Sequence, residues 1–301
     1  MRITDNQVAS HTLESFSTAR GRMDAAQLRV TTGHRFDKAS EDPVAAGSLI
    51  KLASQSRAVT QYQRNIGAAT SRLNLEQGSL DQLTDLLTRA KELGVAGGTD
   101  TVNDAGRKAM AAEVGQLLAQ AVQIANTKSG GEYIYGGDRS TTVPYSIDTS
   151  GPVVQFSVAA PAPSGTRSVE IGASQTVTAG SDGTRIFGTS SSGMLAALQS
   201  LAAALESGGR GQVAAALPGI DQALSGAQAM TAETGARINA LDVASNNLQA
   251  LATQYAASAS DLQDVNMEEA LSDLVNRQTA YQAALAATSR ILNTSLTDYL
   301  R

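Results

Sequence analysis

Residues 266–301 read NMEEALSDLVNRQTAYQAALAATSRILNTSLTDYLR, and this segment, more than any other, dictates the architecture. Alternating steps of three and four connect Leu271, Leu274, Gln278, Tyr281, Leu285, Thr288, Leu292, Ser295 and Tyr299. Val275, Ile291, Leu296 and Leu300 widen the same face. That spacing lays one stripe along the side of a helix. Ala280, Ala283, Ala284, Ala286 and Ala287 fill the remainder with strong helix formers, and neither Pro nor Gly interrupts them. At 1.5 Å per residue the helix is roughly 45 Å long. The stripe meets no neighbouring segment to pack on. It requires a partner helix, either elsewhere in the chain or in another copy.

The opposite end of the sequence offers one. Residues 6–30 read as a helix whose larger apolar residues are Val8, Leu13, Phe16, Met23 and Val30. Phe16, Met23 and Val30 keep a seven-residue step, the period of a coiled coil. A break follows over residues 31–43, where Gly33 can stop a helix and Asp42-Pro43 can start the next as N-cap and first helical residue. A long helix is expected over 44–93 and a shorter one over 105–128. Gly, Pro, Ser and Thr then dominate from Ser129 to about Gly188. Val154, Phe156 and Val158 alternate with polar residues, as do Val169 and Ile171. Period two predicts strands, and Pro163-Ser164-Gly165 between them is a turn signal. Helix resumes over 190–206 and from about 212 to 259, with Pro218 a candidate start of a new segment. A break over 261–266 leads into the terminal helix. The chain is thus helical at both ends and β-rich in the middle, so its two ends are expected to pair.

Composition narrows the function classes. The 301 residues include four Phe, seven Tyr, no Trp and no Cys, so thiol chemistry and disulfides are excluded. Few large aromatics favour helices packed through small side chains. The formal charge of −5 provides no basic footprint for nucleic acid. The start, Met1-Arg2-Ile3-Thr4-Asp5, lacks the apolar core of a secretory signal, and no run of about 18 apolar residues exists to span a membrane. His11 and His34 are the only histidines, form no H-E-x-x-H and have no Cys to complete a zinc site, so no metal or cofactor is expected. Gly130-Gly131 and Gly136-Gly137 lack the Lys-Ser/Thr of a phosphate loop and read as turns. Glu41-Asp42 and Glu268-Glu269 read as helix-start charges. Asn293-Thr294-Ser295 matches a glycosylation acceptor, but on an expected helix it reads as chance.

Several segments resemble the flagellin superfamily. Thr32-Gly33-His34-Arg35 followed by Ala39-Ser40-Glu41-Asp42-Pro43-Val44-Ala45-Ala46 is similar to its N-terminal signature, with Glu41 where Asp is usual. Gly235-Ala236-Arg237-Ile238-Asn239-Ala240-Leu241 is similar to a C-terminal segment, with Ala240 in place of the usual Arg, and Gln278 to Leu296 fits the terminal helix. Glu132-Tyr133-Ile134-Tyr135-Gly136-Gly137 with Thr141-Thr142-Val143-Pro144-Tyr145, together with the opening Met1-Arg2-Ile3, resembles the branch that forms the hook–filament junction.

The resemblance implies a mainly α, elongated flagellin-like rod of long paired helices from both chain ends, with a small β-rich outer domain inserted in the middle. It implies an inner terminal-helix layer and connector (1–43 and 267–301), a helical rod domain (44–137 and 189–266) and an outer β domain (138–188). It further implies secretion to the flagellum without a cleaved signal peptide. The implied partners are hook-associated protein 1, flagellin, copies of itself in a ring, and an export chaperone on the C-terminal segment, the free chain being a monomer. Filament flagellin itself is the alternative. A flagellin carrying a metalloprotease insert would need histidines in the middle domain, which has none. The expected assembly interface comprises Phe16, Met23, Val30, Leu271, Leu274, Tyr281, Leu285, Leu292, Leu296 and Tyr299.

Overall fold

The computed structural model describes residues 2–207 and 209–299, with side chains described for residue 7 and for residues 10–207 and 209–289. In chain order the helices are α1 (Arg2–Thr32), α2 (Pro43–Gly97), α3 (Asp104–Ala125), α4 (Gly183–Ile186), α5 (Met194–Ser207), α6 (Arg210–Gln263) and α7 (Met267–Tyr299). The strands are β1 (Lys128–Ser129), β2 (Glu132–Tyr133), β3 (Tyr145–Asp148), β4 (Gln155–Val158), β5 (Ser168–Gly172) and β6 (Gln175–Thr178). The chain is mainly α, and it divides into two compact units: Met1–Ala58 with Leu251–Arg301, and Val59–Ala250.

In the Val59–Ala250 unit the long helices obey the coiled-coil period. On α2, Val59, Ile66, Leu73, Leu80 and Leu87 recur every seven residues and are buried. On α6 the same step runs through Val213, Ile220, Ala227, Thr234, Leu241 and Leu248, all buried. Pro218 does not begin a new segment; α6 passes straight through it. Pro removes one backbone hydrogen bond from a helix interior, but the burial of Val213 and Ile220 on either side holds the helix through the gap. α3 packs on α5, and Leu118, Leu195, Leu198 and Leu201 join Leu83 and Leu87 in one apolar core.

One layer of this core is polar. Glu76 falls on the three–four repeat of α2, between Leu73 and Leu80, and is 1% exposed. Its carboxylate accepts hydrogen bonds from the Ser181 backbone N–H (3.1 Å), the Ser181 hydroxyl and the Thr234 hydroxyl (3.2 Å). Arg237 donates to Ser181 Oγ at 3.2 Å and pairs with Glu233, which Arg185 also holds at 3.1 Å. Burial opposes the charge on Glu233, but Arg237 and Arg185 outweigh it and hold this carboxyl below its ordinary value. A depressed carboxyl stabilises the fold above its unfolded pKa, and that contribution disappears as pH falls through the folded value. Glu233→Gln is therefore expected to cost roughly 0.2–1 kcal/mol near neutrality, and to lose less stability on acidification than the parent. Urea midpoints measured from neutral to acidic pH test both parts, and an unchanged acid dependence would refute the role given to the arginines.

The β-rich insert differs from expectation in its pairing. The segments at 154–158 and 168–171 do form strands, but not with each other. β4 pairs with β3, β5 pairs with β6, and Pro163-Ser164-Gly165 links two hairpins instead of turning one. A further short pair, β1 with β2, lies ahead of the expected insert. Each sheet has only two strands, too few for independent stability. The anchor of the β1–β2 and β3–β4 pairs is aromatic: Tyr135, Tyr145 and Phe187 are buried, with ring centroids 4.9 Å apart for Tyr135–Phe187 and 5.5 Å for Tyr145–Phe187. Asn126 clamps the start of β3 by donating to Tyr145 O at 2.7 Å and accepting from Tyr145 N at 3.2 Å.

Candidate assembly interface

The terminal helices are set by two helix breaks. α1 ends at Gly33, whose φ of +73° suits a residue without Cβ and whose N–H donates to Arg29 O at 2.9 Å. α2 begins at Pro43 with Asp42 as its cap, since Asp42 Oδ1 accepts from Ala45 N–H at 2.9 Å while Oδ2 holds Arg35 at 2.9 Å. α7 begins where Asn266 Oδ1 accepts from Glu268 N–H at 3.1 Å. The breaks are tied to each other. Arg35 N–H donates to Gln263 O at 2.7 Å, Val265 N–H donates to Gly33 O at 2.9 Å, and His34 faces Asp264 as an antiparallel bridge. His34 Nδ1 also lies 3.1 Å from Gln263 Nε2. Asp42→Ala should therefore cost about 1 kcal/mol locally. The expected readout is faster amide hydrogen exchange at Ala45, and an unchanged rate there would refute the capping role.

From these ties α1 and α7 run back antiparallel and pack along their length. Phe16 meets Tyr281 with ring centroids 5.3 Å apart. On α1 the shielded positions include Phe16, Ala19, Met23, Ala26 and Val30, in steps of three and four with large and small residues alternating. On α7 they include Ala270, Leu274, Arg277, Tyr281, Ala284 and Thr288, again in steps of three and four. Phe16, Met23, Val30, Leu274 and Tyr281 therefore meet in one seam. Leu271 and Leu285 do not: each is 48% exposed, and Val275 is 60% exposed. The seam runs one residue ahead of the leucine stripe at alternate steps, using Ala270, Arg277 and Ala284. Alanines let the helix axes approach, whereas leucines at those steps would hold them apart. Ala19, Ala26, Ala270 and Ala284 escape a search for large apolar residues; only their three–four spacing to Phe16, Met23, Leu274 and Tyr281 marks them. The side chains of Leu292, Leu296 and Tyr299, and of Asn293-Thr294-Ser295, lie outside the described residues.

Exposed apolar residues remain on both paired helices: Leu271, Val275 and Leu285 form an outer flank on α7, and Leu13 and Leu28 on α1 are 52% and 48% exposed. The described residues contain no group of three or more His, Asp or Glu suited to hold a metal ion, and no helix long and apolar enough to cross a membrane.

Comparison with known proteins places this architecture. Residues 3–139 match the bacterial flagellin N-terminal helical region and residues 217–300 the bacterial flagellin C-terminal helical region. The chain belongs to the bacterial flagellin family. Within it, the chain is similar to flagellar hook-associated protein 3 of Escherichia coli K12, at 28% identity over 294 residues, which spans 89% of this chain and 90% of that protein. The Salmonella typhimurium protein of the same name is 24% identical over 310 residues, spanning 94% and 95% respectively. The crystal structure of hook-associated protein 3 from Legionella pneumophila has the same fold, with a TM-score of 0.61 at 19% identity, covering 70% of this chain and 98% of that one. The chain is thus a structural component of the flagellum and not an enzyme.

Proposed function

We propose that this chain forms the junction between the flagellar hook and its filament. The observation that carries the reading is the outer flank of the α1–α7 pair. After the intrachain seam is made, Leu271, Val275 and Leu285 still face solvent, an arrangement suited to neighbouring subunits. Phe16, Met23, Val30, Leu274 and Tyr281 hold the pair together, while Leu271 and Leu285, continued by Leu292, Leu296 and Tyr299, lock adjacent copies into a ring. The ring contacts hook-associated protein 1 on one side and flagellin on the other. Before export, a chaperone covers the C-terminal segment. Residues 1–43 with 267–301 form the inner layer, 44–137 with 189–266 the helical rod and 138–188 the outer domain.

The second reading is filament flagellin, favoured by the family that both terminal regions match. Electron microscopy of a deletion strain separates the two. The junction reading expects bare hooks and monomeric flagellin shed into the medium, with antibody against this chain labelling only the hook-proximal end of sheared flagella. Label along the whole filament would establish the flagellin reading, and normal filaments on the deletion strain would sink the junction.

A further inference from the structure

Charge is segregated along two stretches of the chain. From Pro43 to Leu75 the charged residues are Lys51, Arg57, Arg64 and Arg72, all basic; from Ile238 to Asn276 they are Asp242, Asp261, Asp264, Glu268, Glu269 and Asp273, all acidic. Lys51 and Arg57 of the first stretch, and all but Asp242 of the second, belong to the unit that holds the terminal helices. Lys51, Arg57, Asp261, Glu268 and Glu269 make no ion pair among the described residues; Arg57 donates Nε to Ala53 O of its own helix at 3.2 Å. Both stretches also carry exposed apolar residues. On α2, Val44 and Ile50 are 82% and 67% exposed. Lys51 and Arg57 stand seven residues beyond them, two turns along the same lines of the helix. On α7, Met267, Leu271 and Val275 are exposed at four-residue steps. Glu268 shares their face, three residues before Leu271 and seven before Val275.

We propose that the α2 face of one copy, made of Val44, Ile50, Lys51 and Arg57, docks on the α7 flank of the next, made of Met267, Glu268, Leu271 and Val275. The inference rests on the reading that copies assemble through this flank, and it names what covers the flank. A second copy is the occupant because each chain carries both halves of the match: an apolar pair beside two free cations, and an apolar row beside free carboxylates. Asp261 and Asp264, just ahead of α7, extend the acidic half. Apolar contact supplies the attraction, while opposite charge fixes the register. Two α2 faces would set cation against cation, and two α7 flanks carboxylate against carboxylate, so a symmetric dimer is disfavoured. The contact is therefore head-to-tail. Each docked copy keeps one face free for the next, and such a contact propagates into a ring or a helix.

Charge reversal in a deletion strain complemented with the full chain tests the pairing. Lys51→Glu with Arg57→Glu, and separately Asp261→Lys with Glu268→Lys, should each lower the chain recovered in sheared flagella by about tenfold, the effect of setting like charges together. All of these changes combined should restore most of it. Poor folding, or a lost helix-start charge at Glu268, would not be repaired by changes on α2, so rescue isolates the contact. The chain has no cysteine. Two differently tagged copies, one with Ile50→Cys and the other with Leu271→Cys, should therefore join in flagella as a mixed disulfide. Val95→Cys, at a position 53% exposed, replaces Ile50→Cys as the control and should stay unlinked. Normal incorporation of either reversed pair, no recovery in the combined variant, or equal linking through Val95→Cys would overturn the pairing. The junction reading is scored separately, by where antibody labels the flagellum. Label along the whole filament sinks that reading and leaves the pairing standing, whereas undisturbed incorporation of the reversed pairs sinks the pairing alone.

Discussion

Glu76→Ala is expected to destabilise the Val59–Ala250 unit by about 3–5 kcal/mol, since it leaves several buried donors without an acceptor at about 1–3 kcal/mol each. The substitution strands the Ser181 N–H, the Ser181 hydroxyl and the Thr234 hydroxyl, all of which now donate to this carboxylate in a buried setting. It also opens a void on the α2 seam between Leu73 and Leu80. Arg237 loses part of the order that Ser181 provides. Chemical unfolding with urea measures the loss. Glu76→Leu with Thr234→Val repairs the seam with apolar side chains and strands only Ser181, so it should recover a substantial share of the stability. If the alanine variant unfolds within about 1 kcal/mol of the parent, a typical point-mutation cost, the polar layer is not a keystone of this unit. If the double variant recovers nothing, the deficit comes from somewhere other than unpaired donors on the seam.

Leu285→Asp is expected to abolish incorporation into flagella while leaving the folded chain nearly as stable as before. Leu285 is 48% exposed on the outer flank of α7, so the free subunit loses little burial, within about 0.5 kcal/mol for a surface substitution. In an assembled ring the same position would be covered, and an unpaired carboxylate in an apolar contact costs several kcal/mol. Leu274→Asp is the informative contrast. Leu274 belongs to the intrachain seam with Phe16 and Tyr281 on the α1–α7 pair, so its replacement should loosen that pair in the free subunit as well. Complementation of a deletion strain, scored by motility and by the chain recovered in sheared flagella, reads assembly; circular dichroism reads the helix pair. Normal motility with Leu285→Asp would remove this flank from the assembly surface. Equal loss of helix in both variants would show that the two positions share one role.

Much of the molecule is legible in the sequence. The helix starts and stops at Gly33, Asp42-Pro43 and Asn266 follow from backbone chemistry: a position needing positive φ, a fixed φ of Pro, and short side chains that cap free N–H groups. The seven-residue repeat that produced Phe16, Met23 and Val30 is likewise local, because a helix face is set by rotation per residue alone. The segment from Glu132 to Tyr145 carried its aromatic residues in plain view, although what they do, which is to anchor the β1–β2 and β3–β4 pairs around Phe187, required the fold.

By itself the sequence determined that this chain is helical at both ends, that the ends pair, and where α1 stops and α2 and α7 start, since those outcomes depend on residue type and spacing along one segment; at Pro218 the same local chemistry pointed to a break that α6 does not make. Only the tertiary structure decided which flank of α7 is covered. Neighbouring positions on a helix differ by about 100°, and Leu271, Leu285 and the alanines beside them all lie within an apolar arc wide enough to permit either choice. At two of the three offset steps the approach of α1 took the alanine, Ala270 and Ala284, which allows closer packing, and left Leu271 and Leu285 outside; at the third it took Arg277, which Asp273 holds. The same reason explains the strand partners and the burial of Glu76. Each depends on segments distant in sequence meeting in space, and no periodicity within one segment records which distant neighbour it meets.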